Sequence, residues 1–481
     1  MRVLENLNPQ KVFYFFEDIC NIPHGSYNLD RISEYLENFA IQRNLVCDRD
    51  KENNIIIIKD ATKGYENVEP IILQGHMDMV AVKTAESDID LLNDPLRLKI
   101  CGDYVYADGT SLGGDDGIAV AYILAILDSN EIQHPRIEAV ITTNEETGME
   151  GATYIDLSAL KAKRMLNIDS EEEGILLTSC AGGNKVACKM PVNKCTYSGN
   201  RLRVELGGLI GGHSGTEINK GRANAIKLLA RVLHDCLDEI QFEIISIAGG
   251  EKDNAIPREV FAELVLSENK KSDFIKYMDK MSNILKNENR TKEKNLYLKV
   301  VDLGYEEGES LDELSTYKIL NFLYLMPNGV VAMSNDIEGL VETSLNVGIL
   351  ELKEDCMIAV SAIRSSIESS KRELVRQLKA LTELLGGNIE THGDYPGWQY
   401  NPGSKLRELM VEKYEQLFGE KPKIEAIHAG LECGIMISKI PELDCVSFGP
   451  DIFDIHTTEE KLSISSTERM WKYLLEILKQ K

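Results

Sequence analysis

A short apolar run that ends in metal-binding residue types constrains this chain most. In Ile71–Val80 (IILQGHMDMV) three apolar residues lead into Gln-Gly and then into His76-Met-Asp78. Such a run, closed by a glycine, indicates the end of a buried strand. Because side chains two apart on a strand point to the same side, His76 and Asp78 are expected to emerge together. In many metal sites a His binds the ion and a carboxylate holds its tautomer, although a chance His beside a surface Asp is the alternative.

The first part of the chain alternates strands with helices. Predicted strands at 54–59, 70–74, 138–143 and 165–168 alternate with predicted helices at 10–20, 30–42 and 118–127. This rhythm is typical of an α/β domain with a mostly parallel sheet and helices on both faces.

The pattern changes after about residue 182 to longer alternating strands with few helices between them. That change indicates an α+β domain, and the turn-rich residues 392–398 (HGDYPGW) mark a return point. A chain of 481 residues is too long for one core. The simplest organisation is a discontinuous domain, 1–182 and 394–481, with an inserted domain at 183–393.

Further acidic residues and a second His follow predicted strands or open predicted helices, at the edge of a parallel sheet where sites usually form. These positions are Asp115 and Asp116 in GGDDG, Glu145 and Glu146 in NEETG, Asp169 in NID, and His456 near the C-terminus. Asp115 and Asp116 precede an apolar helix, so helix capping is an equally good explanation for them. Adjacent glutamates are usually only solvated, but beside a metal one can ligate while the other moves protons.

Taken together, these positions supply a complete donor set for two metal ions. The candidate ligands are His76, Asp115, Glu146, Asp169 and His456. If one carboxylate bridges two ions, each ion also receives one imidazole and one further carboxylate. Imidazole and carboxylate ligands suit zinc, with cobalt or manganese as substitutes. Two neighbouring ions can activate water and polarise a carbonyl group.

Composition excludes several classes of partner. The net charge is −25, and a polyanion is a poor match for nucleic acid or an anionic membrane surface. No apolar stretch is long enough to span a membrane, and no basic-then-apolar signal sequence opens the chain. The ten Cys residues form no CxxC pair and are expected to be free thiols. We therefore expect a cytoplasmic protein.

Eight motifs together resemble the bacterial aminoacyl-histidine dipeptidases (cytosol non-specific dipeptidases), which belong to the aminoacylase-like di-zinc metallopeptidases. The motifs are HMDMV, DGTSLGGDDGIA, NEETGMEGA, NIDSEEEG, GGLIGGHSG, NPGS, IHAGLECG and SFGPDIFDIH. The similarity covers essentially the whole chain.

The resemblance implies a role for each candidate residue. His76 would ligate one zinc and Asp78 would brace it, while Asp115 would bridge both ions through a cis peptide to Asp116. Glu145 would be the general base. The remaining implied ligands are Glu146, Asp169 and His456.

The resemblance also assigns residues of the inserted domain, which would act as a lid. His213 in GGHSG would stabilise the oxyanion, and Arg364 in IRSS would receive the substrate's terminal carboxylate. By the same resemblance Asn254 would be a further lid contact, and Glu432 in HAGLECG is expected near the substrate without an assigned role. A turn histidine at 213 and an ordinary strand arginine at 364 are the alternatives.

The implied activity is hydrolysis of unbranched dipeptides, Xaa-His and broader. A deacylase of N-acyl amino acids is the nearest rival, although such relatives usually have a lid about half as long. A non-catalytic binding protein on the same fold would be expected to lack a ligand or the base, and this chain has all of them. The enlarged lid leaves both a monomer and a homodimer open.

Overall fold

The computed structural model describes residues 2–481. They divide into two compact units. Unit 1 contains the described residues up to Ser179 together with Tyr400–Ala426 and Leu431–Lys481, whereas unit 2 contains Cys180–Gln399 and Ile427–Gly430.

The helices follow the apolar periodicity of the sequence. They are α1 (Gln10–Cys20), α2 (Asp30–Gln42), α3 (Gly114–Asp128), α4 (Glu150–Tyr154), α5 (Ala225–Leu237), α6 (Lys271–Glu288), α7 (Glu313–Leu325), α8 (Glu368–Leu384), α9 (Lys405–Phe418), α10 (Glu432–Lys439) and α11 (Ile464–Leu478), with short 3-10 turns at Ile218–Lys220 and Glu268–Lys270.

The strands of the N-terminal part are β1 (Val46–Arg49), β2 (Ile55–Lys59), β3 (Ile71–His76), β4 (Leu98–Cys101), β5 (Tyr104–Ala107), β6 (Ile137–Thr142), β7 (Arg164–Asn167) and β8 (Ile175–Cys180). The middle part contributes β9 (Gly182–Pro191), β10 (Lys194–Gly207), β11 (Gly212–His213), β12 (Glu243–Gly249), β13 (Ala255–Ile256), β14 (Val260–Leu266), β15 (Tyr297–Leu311), β16 (Gly329–Met333), β17 (Val341–Leu352), β18 (Cys356–Ser365) and β19 (Asn388–Tyr395). The C-terminal part adds β20 (Lys423–Ile427), β21 (Asp444–Ser447), β22 (Ile452–Phe453) and β23 (Lys461–Ser463).

Unit 1 is built on an eight-stranded sheet in the order β1-β2-β6-β3-β7-β21-β8-β20. Its four central strands, β6, β3, β7 and β21, pair in parallel. β1, β2 and β8 pair antiparallel at the flanks. The α/β class is therefore confirmed, with parallel pairing concentrated at the centre, where the strands are buried on both faces.

β3 and α3 form the buried centre of unit 1 because their sequences are largely apolar. All six residues of β3 are buried. In α3 every residue from Gly114 to Leu127 is buried, as its continuous apolar sequence predicts for a helix covered on all sides. β21 comes from the C-terminal segment and pairs with β7, so both ends of the chain build this sheet.

Unit 2 is built on a nine-stranded sheet, in the order β15-β10-β14-β12-β17-β18-β9-β19 with β16 paired to β17. All strand pairs in this sheet are antiparallel, and the buried faces of α5, α6, α7 and α8 supply much of its core. A separate two-stranded ribbon joins β11 to β13 and carries His213.

The prediction of a turn beginning at residue 392 was wrong. Residues 392–395 continue β19, where His392 pairs with Lys185 and Tyr395 pairs with Gly183 across an irregularity. The ladder to β9 outweighs the local turn preference. No helix among residues 2–481 has the length and apolar character needed to cross a membrane.

Candidate active site

Parallel strands bring the candidate residues of unit 1 to one edge of the sheet. β3 lies between β6 and β7, with His76 opposite Thr142 and Gln74 opposite Asn167. The loops that follow β6 and β7 carry Glu145–Glu146 and Asp169 respectively. Because the three strands run in the same direction, all three loops leave the sheet beside one another.

The carboxylate of Asp115 lies between the two imidazoles. Its Oδ1 is 3.1 Å from His76 Nε2, and its Oδ2 is 3.2 Å from His456 Nε2. A second carboxylate accompanies each imidazole, since Asp169 Oδ1 is 3.5 Å from His76 Nε2 and Glu146 Oε2 is 3.0 Å from His456 Nε2. The result is two adjacent donor sets that share Asp115.

This donor chemistry fits metal ions. Ligand atoms of His76, Asp115 and Glu146 lie within 4.8 Å of one another, and those of His76, Asp116 and Asp169 do the same. Imidazoles with several carboxylates form a typical set for a divalent transition metal.

Asp78 supports the site through both its backbone and its side chain. Its carbonyl accepts the Nδ1–H of His76 at 2.9 Å, which leaves His76 Nε2 free to ligate. Its carboxylate oxygen is farther from that nitrogen, at 3.6 Å. Instead, the carboxylate accepts the Ser26 hydroxyl and the backbone N–H groups of Glu145 and Glu146, at 2.8, 3.1 and 3.4 Å.

Asp116 is a site residue that sequence reasoning treated only as a neighbour. Its Oδ2 accepts the backbone N–H of His76 at 3.1 Å, and the Asp115–Asp116 peptide is cis, as the resemblance implied. Neither aspartate caps α3, whose N-cap is Gly113. The sequence feature that could have identified Asp116 as a site residue is the pair of adjacent aspartates in GGDDG.

Crowded carboxylates and burial shift the ionisation of this cluster. Burial, together with the charges of Asp169, Glu432 and Glu146, raises the pKa of Glu145 well above its ordinary value. Hydrogen bonds to Asp115 and Glu146 raise the pKa of His456 to about 10. Burial lowers the pKa of His76, but the carboxylates of Asp169, Asp115 and Asp78 outweigh it and leave this pKa well above normal. So dense a group of carboxyl groups is suited to binding cations.

Glu432 is completely buried at the start of α10. Its Oε2 accepts hydrogen bonds from Gln74 Nε2 and Thr142 Oγ1, both at 2.6 Å, while its Oε1 has no partner among residues 2–481. Burial raises its pKa to about 7.

Unit 2 brings His213 and Arg364 to the two sides of one glycine. A Cβ on Gly215 would lie 2.9 Å from His213 Cε1 and 3.1 Å from Arg364 Nε, so only glycine permits this approach. Asn254 belongs to the same cluster, because its carbonyl accepts the N–H of Ser214 at 2.9 Å.

The hydrogen bonds of His213 set its tautomer. Its Nδ1 accepts the N–H groups of Thr216 and Gly215 at 3.2 and 3.3 Å, which leaves the proton on Nε2. Burial and the nearby Arg364 lower the pKa of His213, so the ring is a neutral donor.

Arg364 is held at one end of its guanidinium. Its Nη1 donates to the hydroxyl of Tyr395 at 3.2 Å, and its buried Nε has no partner among residues 2–481. Lys371, only 2% exposed, donates in turn to the Tyr395 carbonyl at 2.7 Å. His428 lies nearby, where its Nε2 is 2.7 Å from the Ser344 hydroxyl and burial lowers its pKa to about 3.

A sequence profile of peptidase family M20/M25/M40 matches residues 72–480, which include the candidate ligands His76, Asp115, Glu146, Asp169 and His456. The chain belongs to this family. The M20 peptidase is therefore a hydrolase that acts on peptide bonds, and the fold class and family expected from its motifs are confirmed.

Two full-length similarities refine this placement. The cytosol non-specific dipeptidase of Escherichia coli is 39% identical over 482 residues, covering 100% of this chain and 99% of the relative. The crystal structure of aminoacylhistidine dipeptidase from Vibrio alginolyticus has a TM-score of 0.94 and 36% identity, covering 99% of this chain and 98% of that one. An aminopeptidase from Bacillus cereus, at TM-score 0.56 and 16% identity over 98% of both chains, shares the fold.

Proposed function

We propose that this M20 peptidase is a metal-dependent dipeptidase that hydrolyses unbranched dipeptides, Xaa-His and broader. The observation that carries the proposal is the Asp115 carboxylate between His76 and His456, each accompanied by a second carboxylate. The full-length relatives support the substrate class, since one is named a cytosol non-specific dipeptidase and the other an aminoacylhistidine dipeptidase. By the same analogy we place the protein in the cytoplasm.

His76, Asp169 and Asp115 would hold one ion, and His456, Glu146 and Asp115 the other, with Asp78 bracing the first. We propose zinc in both positions, with cobalt or manganese as substitutes. When bound, such a pair of ions lowers the pKa of water and polarises the substrate carbonyl.

Glu145 is the proposed general base. Its backbone is held by Asp78, and it directly precedes the ligand Glu146, so its side chain belongs to the same loop as the metal-binding carboxylates. Glu145 takes a proton from the attacking water and then gives it to the leaving amine. One carboxyl group can perform both steps because the first leaves it protonated for the second.

Two of the proposed substrate contacts, Arg364 and Glu432, have a buried polar atom with no partner among residues 2–481. The Nε2–H of the neutral His213 ring donates a hydrogen bond to the oxyanion of the tetrahedral intermediate. This donor is already in position before the reaction. Arg364, whose Nε has no partner among residues 2–481, pairs with the terminal carboxylate. Asn254 and Glu432 are proposed as further substrate contacts.

A matched pair of substrates tests the function. Ala-His and N-acetylhistidine both end in histidine, but only Ala-His has a free α-amine, and its acyl group is one carbon longer. We expect the zinc-loaded protein to hydrolyse Ala-His and β-Ala-His while leaving N-acetylhistidine nearly untouched, as measured by histidine release. Faster release from N-acetylhistidine would assign the protein to the deacylases.

A further inference from the structure

Glu460 is a buried glutamate that no step of the proposed reaction uses. It lies four residues after His456 and is 2% exposed. Its carboxylate faces the loop that leads into α3, and its hydrogen-bond partners there are backbone N–H groups.

Four consecutive backbone N–H groups donate to this one carboxylate. Oε2 accepts from Leu112 and Gly113 at 2.8 and 3.1 Å, and Oε1 accepts from Gly114 and Asp115 at 2.8 and 3.4 Å. Hydrogen bonds from backbone N–H groups to a carboxylate are charge-assisted and strong. They also satisfy N–H groups at the start of a helix, where a negative charge is favoured.

The glycines of the GGDDG motif fit this arrangement. Gly113 has a φ of 69°, in the left-handed region that glycine adopts without strain. A Cβ on Gly114 would lie 3.3 Å from Glu460 Oε1, so any side chain there would press on the carboxylate.

The last of the four N–H groups belongs to Asp115, the residue shared by both donor sets. Asp115 directs one oxygen to each imidazole, so a shift of its backbone would disturb both contacts. The C-terminal segment holds Asp115 at two points, through His456 at its side chain and through Glu460 at its backbone.

We propose that Glu460 is a positioning residue for the metal site. It holds the backbone of residues 112–115 in the conformation that lets the Asp115 carboxylate serve two ions at once. The inference rests on the metal-binding part of the proposed function and is independent of the substrate.

The test is the metal affinity of Glu460→Gln, compared with the wild type by competition with a chromophoric chelator. The amide keeps the size of the side chain but points an NH2 group at N–H donors. Loss of a group that orients metal ligands typically lowers affinity about 10- to 100-fold. We expect a loss of this size for at least one ion, together with a changed visible absorption spectrum of the cobalt-loaded protein.

Glu138→Gln is the matched control. Glu138 is also buried and accepts the backbone N–H groups of Lys161 and Ala162 as well as Arg136 Nε, but it lies near the start of β6, away from the metal-binding loops. We expect this variant to lower the Tm of the metal-free protein with unchanged cobalt affinity and spectrum. If Glu460→Gln behaves in the same way, Glu460 is only a structural anchor and the proposal is overturned.

Gly114→Ala provides a second route if Glu460→Gln fails to fold. The added methyl displaces the carboxylate without removing its charge, and we expect a weaker version of the same loss of affinity. Wild-type affinity and spectrum in a folded Gly114→Ala protein would contradict the proposal. A wild-type protein that binds two ions but cleaves no dipeptide would refute the proposed substrate and leave this inference standing.

Discussion

The carboxylate of Asp78 accepts the backbone N–H of Glu145 at 3.1 Å. The carbonyl of the same aspartate accepts the Nδ1–H of His76 at 2.9 Å. Asp78 therefore sets the orientation of a candidate ligand on its own strand end and the position of the loop after β6. This double role is more extensive than the side-chain brace that the sequence suggested.

Asp78→Asn should impair the role of the Asp78 carboxylate and leave in place the backbone carbonyl that accepts His76. The variant offers an NH2 group where backbone N–H groups now donate, so the Glu145–Glu146 loop should shift. We expect a fall of about 10- to 100-fold in metal affinity or kcat, measured by chelator competition and Ala-His turnover. Asp90→Asn is the control, because Asp90 accepts Leu92 N–H and Asn93 in an exposed loop. Equal effects in both variants would argue against a specific role for Asp78.

Glu145→Gln should separate proton transfer from metal binding. The amide cannot take a proton from water, and loss of a general base typically costs about 10²- to 10⁴-fold in rate. We expect kcat to fall by this amount while metal content, measured by elemental analysis, stays near that of the wild type. Glu150→Gln, at an exposed position in the first turn of α4, should leave both unchanged. Wild-type turnover by Glu145→Gln would remove Glu145 from the mechanism.

His213→Ala should lower kcat with little change in fold. Loss of one oxyanion donor typically costs about 10²- to 10³-fold in kcat. Circular dichroism should be unchanged, because His213 lies in a two-stranded ribbon outside the large sheet of unit 2. His392→Ala, which removes an exposed histidine of β19, is the matched control. A change in KM alone would indicate a contact made equally with substrate and transition state.

Metal binding should strengthen as the pH rises. Hydrogen bonds to Asp115 and Glu146 raise the pKa of His456 to about 10 in the metal-free protein, and an ion must displace that proton. We expect zinc affinity to increase from pH 6 to pH 8 with proton release, detectable by calorimetry in buffers of different ionisation enthalpy. Conversely, the stabilisation of the metal-free fold by protonated His456 is fully present below its ordinary pKa of 6.5 and is lost as the pH rises through about 10. Affinity that is constant across this range would contradict the assignment of His456 as a ligand.

Removal of the ions should inactivate the protein reversibly. Exhaustive chelation should abolish Ala-His hydrolysis, and added zinc, cobalt or manganese should restore it. Bound metal should also raise the Tm, since a ligand that binds only the folded state stabilises it. Activity that persists in a verified metal-free sample would rule out the mechanism.

Local sequence patterns were sufficient for the elements that carry the site. The run Ile71–His76 is a buried strand and residues 118–127 are helical and buried, as the length of each apolar run and its flanking residues predicted. The side chains at strand ends were also identifiable, since parallel strands place their C-terminal loops together. The metal-binding chemistry then followed from the residue types at these positions, which are His, Asp and Glu.

Tertiary structure decided how these groups are held. Glu460 contacts the backbone of Asp115 across 345 positions, and backbone N–H groups have no signature in the sequence. Tyr395 continues β19 and meets Arg364, although its neighbours read as a turn, because the ladder to β9 outweighs local preference. The sequence by itself determined which chemistry the chain carries and which segments are buried. The long-range hydrogen bonds that orient that chemistry exist only once distant segments pack together.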